Sequence, residues 1–467
     1  MKHSVAAAGV AALMLGAFPA LAADPEIEAL RAELAAMKQA YEARISTLET
    51  KLAQYDTKVA HSEAKAVAAE ATARKAAVAA TQKPASESAF NPAISAVLVG
   101  TYGVSERDPG SYSLQGFIPS GGEVGPIARS FSLGESEIGI AANIDHLFRG
   151  QLTLAIPPEQ NSIAVEEGFI QTTGLGYGTT LRAGRFFSGL GYQNQQHAHA
   201  WDFVDAPLAY KVMLGGQLHN DGVQLKWVAP TDWLLELGAE LANGGPFPST
   251  DRGENGATTY VLFAHAGGDL GASSSWRGGV SWLNTAPRKR TYDDFDSAGN
   301  AVVNSFSGTS NTLVVDGVWK WAPEGNATQR NLTLQSEYFF RDENGQLRFD
   351  TGNTGLVGDY TARQHGLYAQ AVYQFMPRWR VGYRYDWLDA GTRRIGLVDS
   401  GSLLAGDFPL LVPASPERHS VMLDWTPSEF SRIRLQYIHD ESNPALSDEQ
   451  LWLQIITSMG AHGAHRY

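Results

Sequence analysis

The sequence predicts an all-β transmembrane barrel of about 16 antiparallel strands, carried behind an N-terminal α-helical coiled-coil segment. Three observations point there. From about residue 93 onward apolar side chains recur with a period of two, whereas the glycine-free stretch before it has the 3,4 spacing of a helix. The 467-residue chain holds 48 Gly, 17 Tyr and 11 Trp but no cysteine. That suits a closed strand ladder with aromatic girdles, which needs no disulfide staple. Long polar connections also alternate with short, proline-bearing ones, as in a barrel with loops on one side and turns on the other.

Residues 1–22 read as a cleaved signal peptide. Lys2 supplies a basic start, Val5 to Phe18 is an apolar stretch too short to span a bilayer as a helix, and Ala20-Leu21-Ala22 is a small-residue cleavage site. Residues 23–83 carry Ile27, Leu30, Leu34, Met37 and Tyr41, then Ile45, Leu48, Leu52, Tyr55 and Val59, each set spaced 3, 4, 3, 4. The four-residue step from Tyr41 to Ile45 is a stutter. So narrow a seam buries itself only against another helix. Everything after the linker 84–92 reads as strand or loop, so another copy of the chain is the expected partner of this periplasmic coiled coil.

Zero cysteine excludes thiol catalysis, thiolate zinc sites and Fe–S clusters. Acidic and basic residues balance up to Asn91, so the net charge of −13 belongs to the remainder, in which Lys211, Lys226, Lys289 and Lys320 are the lysines. An acidic body gives no support for nucleic-acid binding.

The barrel is expected over 93–467. Its clearest strand runs from Trp379 to Trp387. Trp379, Val381, Tyr383, Tyr385 and Trp387 form one face, and Arg380, Gly382, Arg384 and Asp386 the other. A membrane barrel turns such an aromatic row toward lipid and the charges into a watery lumen. The same parity puts Lys226, Glu236, Glu240, Lys320, Arg432 and Arg434 inward. With Arg380, Arg384 and Asp386 they make the expected pore-lining set. In the last strand Leu451, Leu453, Ile455 and Met459 share the outward face. Long loops are expected at roughly 104–128, 243–257, 286–310, 341–362 and 388–416. The stretch 186–219, long, aromatic and polar, is expected to fold into the lumen.

Three segments carry a family likeness: Glu135-Ser136-Glu137-Ile138-Gly139-Ile140-Ala141-Ala142-Asn143-Ile144-Asp145, Glu167-Gly168-Phe169-Ile170-Gln171, and Leu181-Arg182-Ala183-Gly184-Arg185-Phe186. With the overall layout they resemble the phosphate-selective-porin-like family of the outer membrane. That resemblance implies a signal peptide, sometimes a periplasmic helical segment, and a 16-stranded barrel that is usually a homotrimer. It implies passive diffusion of ions and small hydrophilic solutes across outer-membrane lipid, with a helical stalk that could reach toward peptidoglycan. Known members have lumens rich in arginine and lysine. The acidic body here departs from that pattern and puts phosphate selectivity in doubt.

Gln195-Gln196-His197-Ala198-His199-Ala200-Trp201-Asp202-Phe203 and Gly460-Ala461-His462-Gly463-Ala464-His465 are similar to segments of zinc-regulated outer-membrane proteins and short TonB-dependent receptors. This implies a second reading, a TonB-linked barrel for zinc uptake or binding. His197 and His199 point the same way on a strand, and with Asp202 or Asp205 they could ligate zinc. His462 and His465 would face opposite sides. Glu135/Glu137 and Glu166/Glu167 are acidic pairs, but carboxylates lining a wet lumen are poor candidates for acid–base work. No phosphate loop or nucleophile elbow is present. Neither catalytic residues nor a resident cofactor are therefore expected.

Overall fold

The computed structural model describes residues 33–48, 50, 92–120, 128–157, 162–250, 255–443 and 446–460. The expected signal peptide, much of the coiled-coil segment, nearly all of the linker, and His462 and His465 lie outside the described residues. Contacts divide the chain into two units, residues 1–89 and 90–467. In the first, residues 33–48 are helical, and the seam positions Leu34, Met37, Tyr41, Ile45 and Leu48 are all exposed.

The second unit is a closed antiparallel sheet. In chain order its strands are β1 (Ala93–Ser105), β2 (Ser130–Leu133), β3 (Ser136–Asn143), β4 (Phe148–Ile156), β5 (Ala164–Thr172), β6 (Thr179–Phe187), β7 (His219–Val228), β8 (Leu234–Ala242) and β9 (Thr259–Asp269). They continue as β10 (Ser274–Thr285), β11 (Arg290–Phe295), β12 (Ala301–Trp321), β13 (Asn331–Phe349), β14 (Leu356–Met376), β15 (Trp379–Ile395), β16 (Glu417–Ser428), β17 (Ser431–Asn443) and β18 (Leu446–Gly460). β2 and β3 follow one another along β1 as a single interrupted strand. β11 is a hairpin arm lying on β12 beyond the end of β10. β1 also pairs with β18, which closes the barrel at 16 strands. Closure gives every wall strand two neighbours, so no ladder edge is left for lipid to meet.

Side chains alternate across the wall as the period of two requires. Val381, Leu423, Leu435, Leu453 and Tyr102 lie opposite one another on successive strands and are all exposed, forming one continuous apolar belt. Near the short turns Trp379 and Trp425 stack with ring centroids 5.8 Å apart, the level at which an interfacial girdle sits. Inside, large rings lie flat on glycines of the facing strand. A Cβ on Gly103 would fall 1.8 Å from the Trp452 ring, and one on Gly238 would fall 1.9 Å from Phe263. The missing side chain is what lets each ring cover its neighbour's backbone.

Two of the expected long loops are largely strand, and a third begins as one. β12, β13 and β14 have 21, 19 and 21 residues, about twice what a bilayer crossing takes. The expected loop 286–310 is mostly the β11–β12 hairpin, 341–362 is the overreach of β13 and β14, and β15 runs to Ile395. These segments read as loop because the wall there stands beyond the apolar belt. Its outward positions are polar, such as Thr309, Asn344 and Arg363, so the apolar alternation disappears while the ladder continues.

At that end the lumen is packed. The short helix Leu208–Leu214 is buried throughout, and with Leu114, Phe117, Leu190 and Trp201 it packs on the inward-facing Phe263, Val314, Phe339, Tyr368 and Leu388. A second cluster joins Ile118, Phe408 and Leu411 to Tyr292, Phe306, Leu347 and Tyr360. The segment between β6 and β7 does fold inward, and it is joined there by residues from the β1–β2 and β15–β16 connections.

Candidate functional site

Toward the short turns the lumen opens into a cavity of about 1300 Å³. It runs from residues of the β9–β10 and β12–β13 turns up to the infolded segment at Gln195–Asp202. Lys226, Glu236, Lys320, Arg380 and Arg432 of the expected pore-lining set border it. Glu240, Arg384, Asp386 and Arg434 also face inward, but the infolded segment covers them and they are almost fully buried. They stand behind that segment, not on the open cavity.

These covered charges hold the segment to the wall. Asp205 receives Arg384 at 2.9 Å, Arg418 at 2.7 Å and Lys211 at 3.0 Å. Asp386 takes Arg384 at 2.9 Å and Arg418 at 3.2 Å, and also accepts the Leu208 N–H at 2.9 Å. Burial disfavours charge on Asp205, yet Arg418, Lys211 and Arg384 outweigh it and hold the carboxyl well below its ordinary range. Further along, Gln193 N–H and the Tyr210 hydroxyl donate to Glu337 at 2.9 and 3.1 Å. The mixed charge predicted for the inner face is thus spent largely on docking this segment.

The histidines fall at the cavity's edge, but not with the partner the sequence suggested. Asp202 is taken by Arg380 at 2.9 Å. Arg380 also pairs with Asp424, which in turn holds Arg434 at 2.8 Å. Asp205 lies in the docking network. His197 and His199 instead meet Glu137 of β3 and Glu166 and Glu167 of β5. His197 Nδ1 lies 3.0 Å from Glu166 Oε2 and 3.1 Å from Glu137 Oε2, and its Nε2 lies 3.2 Å from Glu167 Oε2. His199 Nδ1 lies 2.7 Å from Glu137 Oε1. The two imidazoles are stacked at 5.6 Å.

Simple alternation would send Glu166 and Glu167 to opposite faces. The β4–β5 register slips there, with Thr153 opposite Glu167 and Leu154 opposite Val165, so Glu166 is the extra residue of a β-bulge. The bulge re-aims its side chain, and both carboxylates end up buried inside, at 7% and 6% exposure. The acidic pair was visible in the sequence, but the local break in period that makes it convergent was not.

No family model matches the sequence. An uncharacterized protein of Aquifex aeolicus (strain VF5) is 30% identical over 414 residues, covering 82% of this chain and 81% of its own length. The chain belongs to the family of that Aquifex protein. Among solved structures, a loop L8 deletion mutant of OmpT, an outer membrane protein of Vibrio cholerae, is similar with a TM-score of 0.50 at 10% identity, covering 79% of this chain and 99% of its own. The outer membrane channel DcaP of Acinetobacter baumannii gives 0.47 at 11% identity, covering 79% of this chain and 97% of its own. At such identities the OmpT likeness shows the fold.

Proposed function

We propose that this barrel is an outer-membrane diffusion channel for ions and small hydrophilic solutes, without catalytic activity, and that its N-terminal helix stands in the periplasm. The observation that carries the reading is the pairing of two surfaces. A closed 16-strand wall presents an apolar belt outward, and it encloses a polar cavity of about 1300 Å³ that ends on an infolded segment. Local charge, not the net −13, then sets selectivity. Arg149, Arg182, Lys226, Arg277, Lys320, Arg380 and Arg432 border the cavity against Glu137, Glu167, Asp202, Glu236 and Asp269. Several of these are paired, so a weak anion preference is expected, not phosphate selectivity. Because apolar side chains fill the other end of the lumen, conduction should come in bursts as that packing shifts. Planar-bilayer recording of the purified protein tests this. Discrete current steps with an anion-favouring reversal potential are expected, and absence of steps in any salt would remove the channel reading.

A further inference from the structure

We propose that Glu137, Glu166 and His197, flanked by Glu167 and His199, form a binding site for a divalent transition cation, zinc or a neighbour of it, which ties the infolded segment to the barrel wall. Three separately placed pieces of backbone deliver these side chains: β3, the bulge of β5, and the turn around His197. One ligand atom from each of Glu137, Glu166 and His197 lies within 4.8 Å of the others. The contacts between imidazole nitrogens and carboxylate oxygens span 2.7 to 3.2 Å. A tetrahedral ion with ligands at about 2.0–2.1 Å needs donors about 3.3 Å apart, so a small outward shift would seat it.

His197 Nδ1 faces two carboxylates and its Nε2 a third. An imidazolium would have to share its Nδ1–H between Glu137 and Glu166, whereas a metal ion at that point would be bound by both oxygens and the nitrogen together. Imidazole mixed with carboxylate suits zinc and its transition-series neighbours better than the all-oxygen shells of calcium or magnesium. Glu137, Glu167, His197 and His199 border the open cavity, which supplies an entry path. The bulge is a second, independent observation. It interrupts a regular ladder at the one residue whose carboxylate completes the set, and bulges that re-aim side chains concentrate beside functional sites. This inference stands whether or not the barrel conducts.

The test is titration calorimetry of the full-length protein, extracted in mild detergent and stripped with chelator, against zinc chloride. A single zinc per chain is expected. His197→Gln, and separately Glu137→Gln with Glu166→Gln, should weaken binding by more than about tenfold, since even outer partners of a ligand cost 10–100-fold. His439, which is near Glu441 and Glu449 on the exposed side, is the control, and His439→Gln should bind as the unaltered protein does. Far-UV circular dichroism checks that each variant folds. If His197→Gln does not fold, Cu²⁺ bound to the unaltered protein should show electron-spin coupling from an imidazole nitrogen. No saturable zinc binding, binding unchanged in folded His197→Gln, binding lost in His439→Gln, or no imidazole coupling would each overturn the proposal.

Discussion

Asp205→Asn should unlatch the infolded segment while leaving the barrel standing. The Asp205 side chain is only 10% exposed, and it faces Arg384, Arg418 and Lys211, each at most 2% exposed. The amide keeps the shape but removes the charge, leaving three buried cations with less to answer them. Breaking a buried pair by deleting one partner costs about 3–5 kcal/mol. At about 1.4 kcal/mol per factor of ten, the detached population should rise by roughly two to four orders of magnitude. The ladder that closes the wall is not touched. Limited trypsin digestion reads the change directly, because Lys211 lies in the buried helix Leu208–Leu214 and is cut only when that helix leaves. Cleavage at Lys211 should accelerate by a similar factor while the far-UV melting temperature stays nearly constant. Equal cleavage rates in the two proteins would refute the latch.

Leu435→Arg places a charge in the exposed belt between Leu423 and Leu453. It should cost about 2–4 kcal/mol of folding stability in lipid vesicles if that position lies near the midplane, and a neutral result would argue against lipid there. Burial pushes the Asp294 carboxyl on the β11 hairpin up to about 6, against hydrogen bonds from the Phe295 and Leu410 backbone. A carboxyl raised above its unfolded value stabilises below that unfolded value, and the benefit is lost as pH rises through about 6. Amide exchange in the β11–β12 hairpin should therefore be slower near pH 4.5 than near pH 7.5 once corrected for intrinsic rates, and Asp294→Asn should flatten that difference. An unchanged pH profile in the variant would exclude Asp294 as the cause. Deleting residues 24–83 removes the exposed helical seam. It should leave barrels that still conduct but sediment as smaller species than the intact protein, and identical sedimentation would refute helix-driven association.

The barrel was legible because its lipid-facing rows are long and regular. Val381, Leu423, Leu435 and Leu453 announce their side of the wall without reference to any partner. The inward folding of the segment after β6 was also legible, from its length and its aromatic, polar make-up. What escaped were features that depend on pairing across the chain. The overreach of β12 to β15 hides because water on the outer side erases the apolar alternation at positions such as Thr309 and Asn344. The inner charges Arg384, Asp386 and Arg434 have the right parity for a pore lining. Whether they meet solvent depends on a cover supplied by residues around Trp201 to Leu214, more than 170 positions away. Asp202 looked like the natural third ligand because it is close in sequence, but Arg380 claims it. Glu166 does converge on His197, and it does so through a one-residue slip that parity cannot foresee.

The overreaching strands form a sheet that stands clear of the belt, and such a sheet would ordinarily offer raw backbone to any passing chain. Here both flanks are dressed. β11 lies along β12 where β10 has ended. On the far side the Leu388 and Ala390 N–H groups of β15 donate to Pro416 and Ala414 at 2.9 and 3.0 Å. The raised wall is therefore finished like a hemmed cloth. Along the stretches so covered strand addition finds no free backbone, and whatever meets them must be recognised by side-chain shape and charge.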